Sequence, residues 1–317
     1  MKRGNSAPSH VLAVDLGGTN CSVAIIDRHG RVVARKKLPV DNSSASGPVL
    51  QITKLASELA RSTGFRAAGV AVPGLVRRDG TVWAPNLKGW NRMPLASRLM
   101  RALDTPVVVE SDRNAAVLGE CWRGAARGKS DVIVLMIGTG IGAGILSGGR
   151  IVRGAHELSG CAGWLTVTGE ETPESSQMGE LESLTAGPAI ARHAKAGLAQ
   201  GRKSILSELN REALTTLDVA TAARRGDALS REIFQTCGRL LGLGVANLVS
   251  VFDPEIIVIG GGMAGAADLF LDALKKGMLE RAQPLAAKQV KIAVSKLGDA
   301  ANLLGCARLA WEAAGVK

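Results

Sequence analysis

The sequence predicts an internally duplicated α/β protein, each half a sheet covered by helices. Three observations predict it. Two stretches share one pattern, an apolar strand, a glycine-rich hinge and a second apolar strand: "VLAVDLGGTNCSVAIID" at 11–27 and "DVIVLMIGTGIGAGILSGGR" at 131–150. Each is followed by alternating helix and strand patterns, as in layered α/β folds. The chain also spends 39 of its 317 residues on glycine, the residue of tight turns and close backbone approaches.

The elements follow in order. "RVVARKKLPV" (31–40) reads as a third strand, with the polar loop "DNSSASGP" behind it. Val49, Ile52, Leu55 and Leu59 fall at helical spacing, and Gly64 stops that helix. "AAGVAVPGLV" (67–76) is a short buried strand ended by Pro73-Gly74, and "TVWAPNLKGW" (81–90) is a short strand running into a loop. "PLASRLMRAL" (94–103) is a helix, and "PVVVESDRNAAVLGECWRG" (106–124) is a strand that turns at Ser111-Asp112 directly into a helix. Residues 231–264 give a long helix, a turn at Asp253-Pro254, a buried strand and a triple-glycine turn. The domain boundary is expected just after Asp112, giving domains 1–113 and 114–301. The last helix, within 302–317, is expected to pack back on the first.

Composition narrows the function classes. Hydrophobic residues make up 46% and charged residues 21%, ordinary values for a globular protein. Aromatics are 3%, with no Tyr, which disfavours a base-stacking surface for single-stranded nucleic acid. The net charge of +11 is scattered in short clusters such as Arg35-Lys36-Lys37, the pattern of a solvated surface and not of a nucleic-acid partner. The five cysteines stand alone, without a C-x-x-C pair, as in a reducing compartment. Asp15 interrupts the first apolar run, so the start does not read as a signal peptide, and no run reaches a membrane-spanning length. A cytoplasmic location is expected.

Three motifs carry chemistry. In the first hinge, Asp15, Gly17, Gly18, Thr19 and Asn20 let several backbone N–H groups converge on one anion, and Gly138, Thr139, Gly140 and Gly142 repeat this in the second. Each hinge alone also suits a plain tight turn; the pair points to a phosphate clamp. Asp15 then suits Mg²⁺, held directly or through water, since that ion takes oxygen ligands; the alternative is an acid that caps the turn. Gly260, Gly261 and Gly262 after a buried strand offer bare backbone for a flat adenosine ring, or else a constrained helix start. Asp112, where a strand ends and a helix begins, is a candidate general base. It also fits an ordinary N-cap, and the helix N-terminus is expected to keep it ionised.

Taken together, "AVDLGGTN", "AVPGLV", "APNLKGW", "PLASRL", "VESDRNAAVLGE", "GTGIGAGILSGGR", "RGAH" and "GGGM" resemble the ROK family of bacterial sugar kinases and related repressors. The resemblance covers nearly the whole chain in order. It implies a duplicated, ribonuclease-H-like, actin-like ATPase fold, with two α/β domains flanking a cleft. It also implies ATP and Mg²⁺ as cofactors, a sugar-like acceptor and a homodimer. Asp112 would be the base taking a proton from a sugar hydroxyl, Gly74 and Asn86 would line the sugar site, and Glu182 matches the acid of the family's Gly-Cys-Leu-Glu segment.

Other family positions are altered here. The family's Glu-Asn-Asp is Glu110-Ser111-Asp112, and its Gly-Glu-x-Gly-His, which reaches sugar hydroxyls, is Gly160-Cys161-Ala162-Gly163-Trp164. Its zinc segment is replaced by "TPESSQMGE", with Glu180 where the last cysteine would be. No zinc is expected, and the loop there is expected to be held by packing alone. The leading expectation is a sugar kinase with an altered pocket. A sugar- or nucleotide-responsive binding protein with little turnover is the alternative. A repressor is disfavoured, because about ten residues precede the first strand, too few for a helix-turn-helix.

Overall fold

The computed structural model describes residues 9–61 and 63–316; the first eight residues of the start considered above for a signal peptide lie outside them. Two compact units form: Met1–Gly128 with Ile151–Ser159 and Asp299–Lys317, and Lys129–Arg150 with Gly160–Gly298.

The first unit holds β1 (His10–Leu16), β2 (Asn20–Asp27), β3 (Val32–Pro39), α1 (Gly47–Leu59), β4 (Ala68–Val72), the short pair β5 (Leu75–Val76) and β6 (Val82–Trp83), α2 (Leu95–Leu103), β7 (Val107–Ser111) and α3 (Asp112–Arg123). The second begins with β8 (Val132–Ile137), β9 (Ile141–Ser147) and β10 (Arg150–Ile151). It continues with α4 (Pro173–Met178), α5 (Glu180–Thr185), α6 (Gly187–Ala199), α7 (Thr216–Arg224), α8 (Ala228–Phe252), β11 (Ile256–Gly260), α9 (Ala267–Arg281), α10 (Pro284–Gln289) and β12 (Lys291–Val294). The closing helix α11 (Ala300–Ala313) belongs to the first unit.

The duplication is visible in the sheets, ordered β3-β2-β1-β4-β7 and β10-β9-β8-β11-β12. In each, the first strand forms an antiparallel hairpin with the next and on its other side pairs in parallel with a crossover strand, which pairs in parallel with a further one. The near-continuous apolar runs follow from covering both sheet faces. Alternate residues of β1 divide between two cores: Leu12, Val14 and Leu16 pack with Ile52, Leu55 and Leu99, whereas Val11 and Ala13 pack with Leu303, Ala307 and Trp311 of α11.

The expected boundary at 113/114 is corrected to the end of Gly128, because α3 cannot be separated from α11. A Cβ on Gly119 would lie 2.0 Å from the Ala301 carbonyl oxygen, and one on Gly305 would lie 1.8 Å from that of Ala115. Only bare backbone lets the two helices approach so closely, and that contact ties the whole of α3 to the first unit. The segment Ile151–Ser159 is tied there too, through an ion pair of Arg153 with the buried Glu110 and another of Glu157 with Arg78 (3.2 Å).

Candidate active site

The first hinge closes the β1–β2 hairpin. The Gly17 N–H donates to the Asn20 carbonyl (2.8 Å), and Thr19 and Asn20 are exposed. Asn86 lies against this turn: a Cβ on Gly18 would sit 3.4 Å from the Asn86 Cβ. Asp15 leads into the hinge, with its Oδ1 accepting from Asn302 Nδ2 (3.1 Å). In register Asp15 stands beside Ala71 of β4, and Ala71 beside Glu110 of β7. The carboxyl ends of three parallel strands thus gather Asp15, the Pro73-Gly74 turn and Glu110-Ser111-Asp112, the edge at which open α/β sheets bind ligands. Gly74 has φ +111°, and a Cβ there would lie 2.3 Å from the Trp83 carbonyl oxygen, so no other residue fits the turn.

The strand-to-helix junction separates two roles that the sequence leaves open. Ser111 takes the N-cap, its Oγ accepting from the Asn114 N–H (3.4 Å). Asp112 is the first residue of α3, with Oδ1 accepting from the Arg113 N–H (2.8 Å), and does not serve as the cap. Burial raises the Asp112 carboxyl above the usual carboxylate range, against the opposing pull of the Arg113 N–H and guanidinium. Desolvation thus outweighs the helix N-terminus that was expected to favour the ionised form. Glu110 is fixed beneath it, accepting from the Ser111 N–H (2.9 Å) and Asn114 Nδ2 (2.9 Å) while pairing with Arg153. The partner of Glu110, Arg153, comes from 43 residues downstream, and no local pattern announces it.

Burial pushes the Asp15 carboxyl up to about 6; Asp112 and Asp299 add to the rise, while Asn302 and Arg35 oppose it. A free aspartate titrates near 3.9. The folded chain therefore binds the more protons between those values, and stability falls as pH rises through about 6. Nucleotide-free protein is expected to lose on the order of 2–3 kcal/mol of unfolding free energy between pH 4 and pH 8 through this group. Asp15→Asn is expected to flatten that slope in urea melts; an unchanged slope would show that Asp15 is not its source. Mg²⁺ keeps several waters and takes one or two carboxylates alongside phosphate oxygens, so a partly buried carboxylate beside a glycine turn fits it. Among the described residues no group of three or more His, Cys, Asp or Glu is placed to form an all-protein metal cage.

In the second unit, the hinge between β8 and β9 is closed by Gly138 N–H to the Gly140 carbonyl (2.9 Å). Glu182 accepts from the Ile141 N–H (2.7 Å), and a Cβ on Gly140 would meet that carboxylate at 2.8 Å. Two members of the predicted glycine sets lie outside their turns. Gly142 is within β9 opposite Met136, and Gly260 ends β11 opposite the same residue. Gly261 (φ +79°) makes the turn, and Gly262 opens onto a cavity of about 900 Å³. That cavity is also lined by Gly138, Thr139, Leu214, Leu217 and Met263, and its volume suits a nucleotide-sized ligand. The α6–α7 wall of this cavity is absent from the sequence reading; its one legible sign is the Thr215…Asp218 capping box that starts α7.

Trp164 is 57% exposed and Cys161 is half-buried at the start of a short 3₁₀ turn. The loop that follows is not held by packing alone, as expected above. Glu180 accepts from the N–H groups of Val167 (3.0 Å), Thr168 (2.8 Å) and Gly169 (3.1 Å), and from the Thr168 hydroxyl. Burial works against its ionisation, but these donors outweigh burial and hold the carboxyl below its usual range. A single carboxylate thus gathers three consecutive amides. Glu180→Ala is expected to cost about 1–3 kcal/mol, read as a lower urea midpoint, by leaving them unpaired. Chelator-washed wild type is expected to keep its midpoint; a fall on chelation would show that a metal holds the loop.

A family model for the ROK family matches residues 11–313. The chain is 31% identical over 307 residues to a glucokinase of Halalkalibacterium halodurans, covering 93% of this chain and 92% of that one. It is also 31% identical over 312 residues to a xylose repressor of Caldicellulosiruptor bescii, covering 95% and 78%. The crystal structure of a ROK family glucokinase from Streptomyces griseus in complex with glucose and AMPPNP superposes with a TM-score of 0.81 at 29% identity, covering 96% of this chain and 99% of that one.

Proposed function

The chain belongs to the ROK family, and on that premise we propose that it is an ATP-dependent kinase that transfers the γ-phosphoryl group to a hydroxyl of a sugar or sugar-like acceptor. Its mixed α/β fold is the actin-like ATPase fold of the family's structurally characterised kinases. The observation that carries the proposal is Asp112, a desolvated carboxyl that is not used as a helix cap, at the same sheet edge as Asp15 and the Gly-Gly-Thr turn.

In this reading the acceptor hydroxyl sits against Asp112, which takes its proton as the bond to phosphorus forms. A carboxyl raised above its usual range is a stronger base than a free aspartate while remaining ionised above its own titration point. Glu110, held by Arg153 and Asn114, positions the junction that aims Asp112. Gly74, Asn86 and Ser111 line the acceptor site in the first unit, and Cys161, Trp164 and Glu182 are the second unit's positions that match the family's sugar-contacting segments. In the first unit the turn through Gly18 and Thr19 is the element that faces donor phosphates, and in the second unit the Gly138–Gly140 turn has the same role. The adenosine lies in the cavity opened by Gly262. Asp15 would hold Mg²⁺, which supplies positive charge to the donor phosphates. Catalysis is then mostly positioning and electrostatic stabilisation, as phosphoryl transfer requires.

A second reading, a sugar-responsive regulator with little turnover, is favoured by Cys161 and Trp164, which replace residues that reach sugar hydroxyls in family kinases. An ADP-release screen with MgATP and a panel of hexoses, amino sugars and polyols separates the two. Acceptor-dependent ADP that disappears in Asp112→Asn supports the kinase; sugar binding without ADP release supports the regulator. The kinase reading also places the protein in the cytoplasm as a homodimer. Among the described residues no helix is long and apolar enough to cross a membrane, and light scattering tests the dimer.

A further inference from the structure

A second, smaller pocket lies within the first unit, about 180 Å³ in volume, where Asp15, Gly17 and Thr19 of the first hinge meet Arg35, Lys37 and Asp299. Strand register explains how distant residues converge there. Asp15 of β1 stands opposite Ser22 of β2, and Ser22 stands opposite Lys37 of β3. Side chains in such a row share one face, and two interstrand steps separate the first from the third by about 10 Å. A lysine side chain spans much of that gap. Arg35 lies two residues along on the same face, with its Nε donating to Ser22 Oγ (3.0 Å). Lys37 Nζ donates to Asp299 Oδ2 (2.6 Å), and an Arg35 nitrogen lies 4.0 Å from the same oxygen. Asp299 occupies the N-cap position of α11 without capping it: its side chain makes no cap bond and reaches for the two cations instead.

Past Asp15, the hinge beside them offers only neutral groups, backbone and the Thr19 and Asn20 side chains. Unlike a P-loop, it carries no lysine of its own, so its amides bring only partial charges to a phosphate. Two full positive charges stand in the adjoining wall; both reach the exposed Asp299, and Asp15 in the same pocket also faces Arg35. We propose that Lys37, with Arg35 beside it, is a ligand of the donor phosphates, and that Asp299 competes with those phosphates for Lys37. This assignment rests on the kinase reading above. It adds a cationic side to the donor site, supplied by an edge strand remote in sequence from the glycine turn.

Competition gives the two partners opposite signs. Lys37→Gln is expected to weaken MgATP binding about 10- to 100-fold, the loss of a hydrogen bond to a charged group. Lys37→Arg is expected to recover most of it. Asp299→Asn is expected to tighten MgATP about two- to fivefold, since an exposed ion pair contributes little and its release frees the ammonium. Titration calorimetry on the full chain without any acceptor reads these directly, and adenosine, which lacks phosphate, should bind all variants alike. Equal weakening by Lys37→Gln and Asp299→Asn, or MgATP affinity unchanged in both, would overturn the assignment and leave a structural ion pair. A wild-type chain that binds adenosine and MgATP equally would overturn it too. A wild-type chain that binds no nucleotide would overturn the kinase reading together with it.

Discussion

Asp112→Asn is expected to lower acceptor-dependent turnover by about 10²–10⁴-fold, the range that a positioned base contributes, while leaving nucleotide affinity nearly unchanged. The substitution conserves shape. An asparagine Oδ1 can still accept from the Arg113 N–H, and Ser111, which remains the cap, keeps the start of α3 in place. What is lost is the charge and the lone pair that receives the acceptor's proton. The wild-type pH profile carries the same argument. Because burial raises the Asp112 carboxyl, the base is protonated as pH falls through a value above the usual aspartate range. The acid limb of kcat/KM is therefore expected above about 4, where a free aspartate titrates, and is expected to be absent from the residual activity of Asp112→Asn. A variant that turns over like wild type on the true acceptor would remove Asp112 from the mechanism.

The hinges and the Asp112 junction were legible because their chemistry is local. A strand end, two glycines and a hydroxyl lie within six residues in the first hinge, and a strand runs into a helix at Ser111-Asp112. Periodicity likewise carries the strand–hinge–strand repeat, since burying both faces of a sheet leaves a continuous apolar run. The illegible parts are those that depend on distant segments meeting. Glu110 reads as one more acid until Arg153 pairs with it. Gly119 and Gly305 read as helix-weakening residues until α3 and α11 are placed in contact, which is also why the boundary was expected too early. Gly142 and Gly260 carry the right composition, but they sit in paired strands because a glycine run does not mark which member makes the turn. Glu180 is the clearest case. It stands in line with a missing cysteine and reads as a lost ligand, yet its carboxylate gathers three amides from a segment eleven to thirteen residues upstream.

Glucose is expected to be a poor acceptor, with kcat/KM about 100-fold or more below that of the true acceptor, at roughly 1–3 kcal/mol for each hydroxyl left without its partner. Three altered positions carry the expectation. Cys161, a weak donor, stands where family kinases present a carboxylate acceptor. Trp164 offers one N–H in place of an imidazole, and at 57% exposure it gives an acceptor an open apolar face in place of a fixed polar contact. Ser111 is shorter than asparagine, and its Oγ is already drawn to the Asn114 N–H as the helix cap. The alternative is that nearby residues such as His156 or Glu157 supply the contacts, but two of the acids near these segments are already engaged. Glu157, the nearest acid before the altered segment, is paired with Arg78 at 3.2 Å, and Glu182 is engaged by the Ile141 N–H at 2.7 Å. Restoring the family residues is the sharper test. Cys161→Glu with Trp164→His is expected to raise kcat/KM for glucose while lowering it for the acceptor found in the screen, since specificity is a difference between the two. Ordinary turnover on glucose by the wild type, with a KM below about 1 mM, would show that these substitutions leave the glucose site intact.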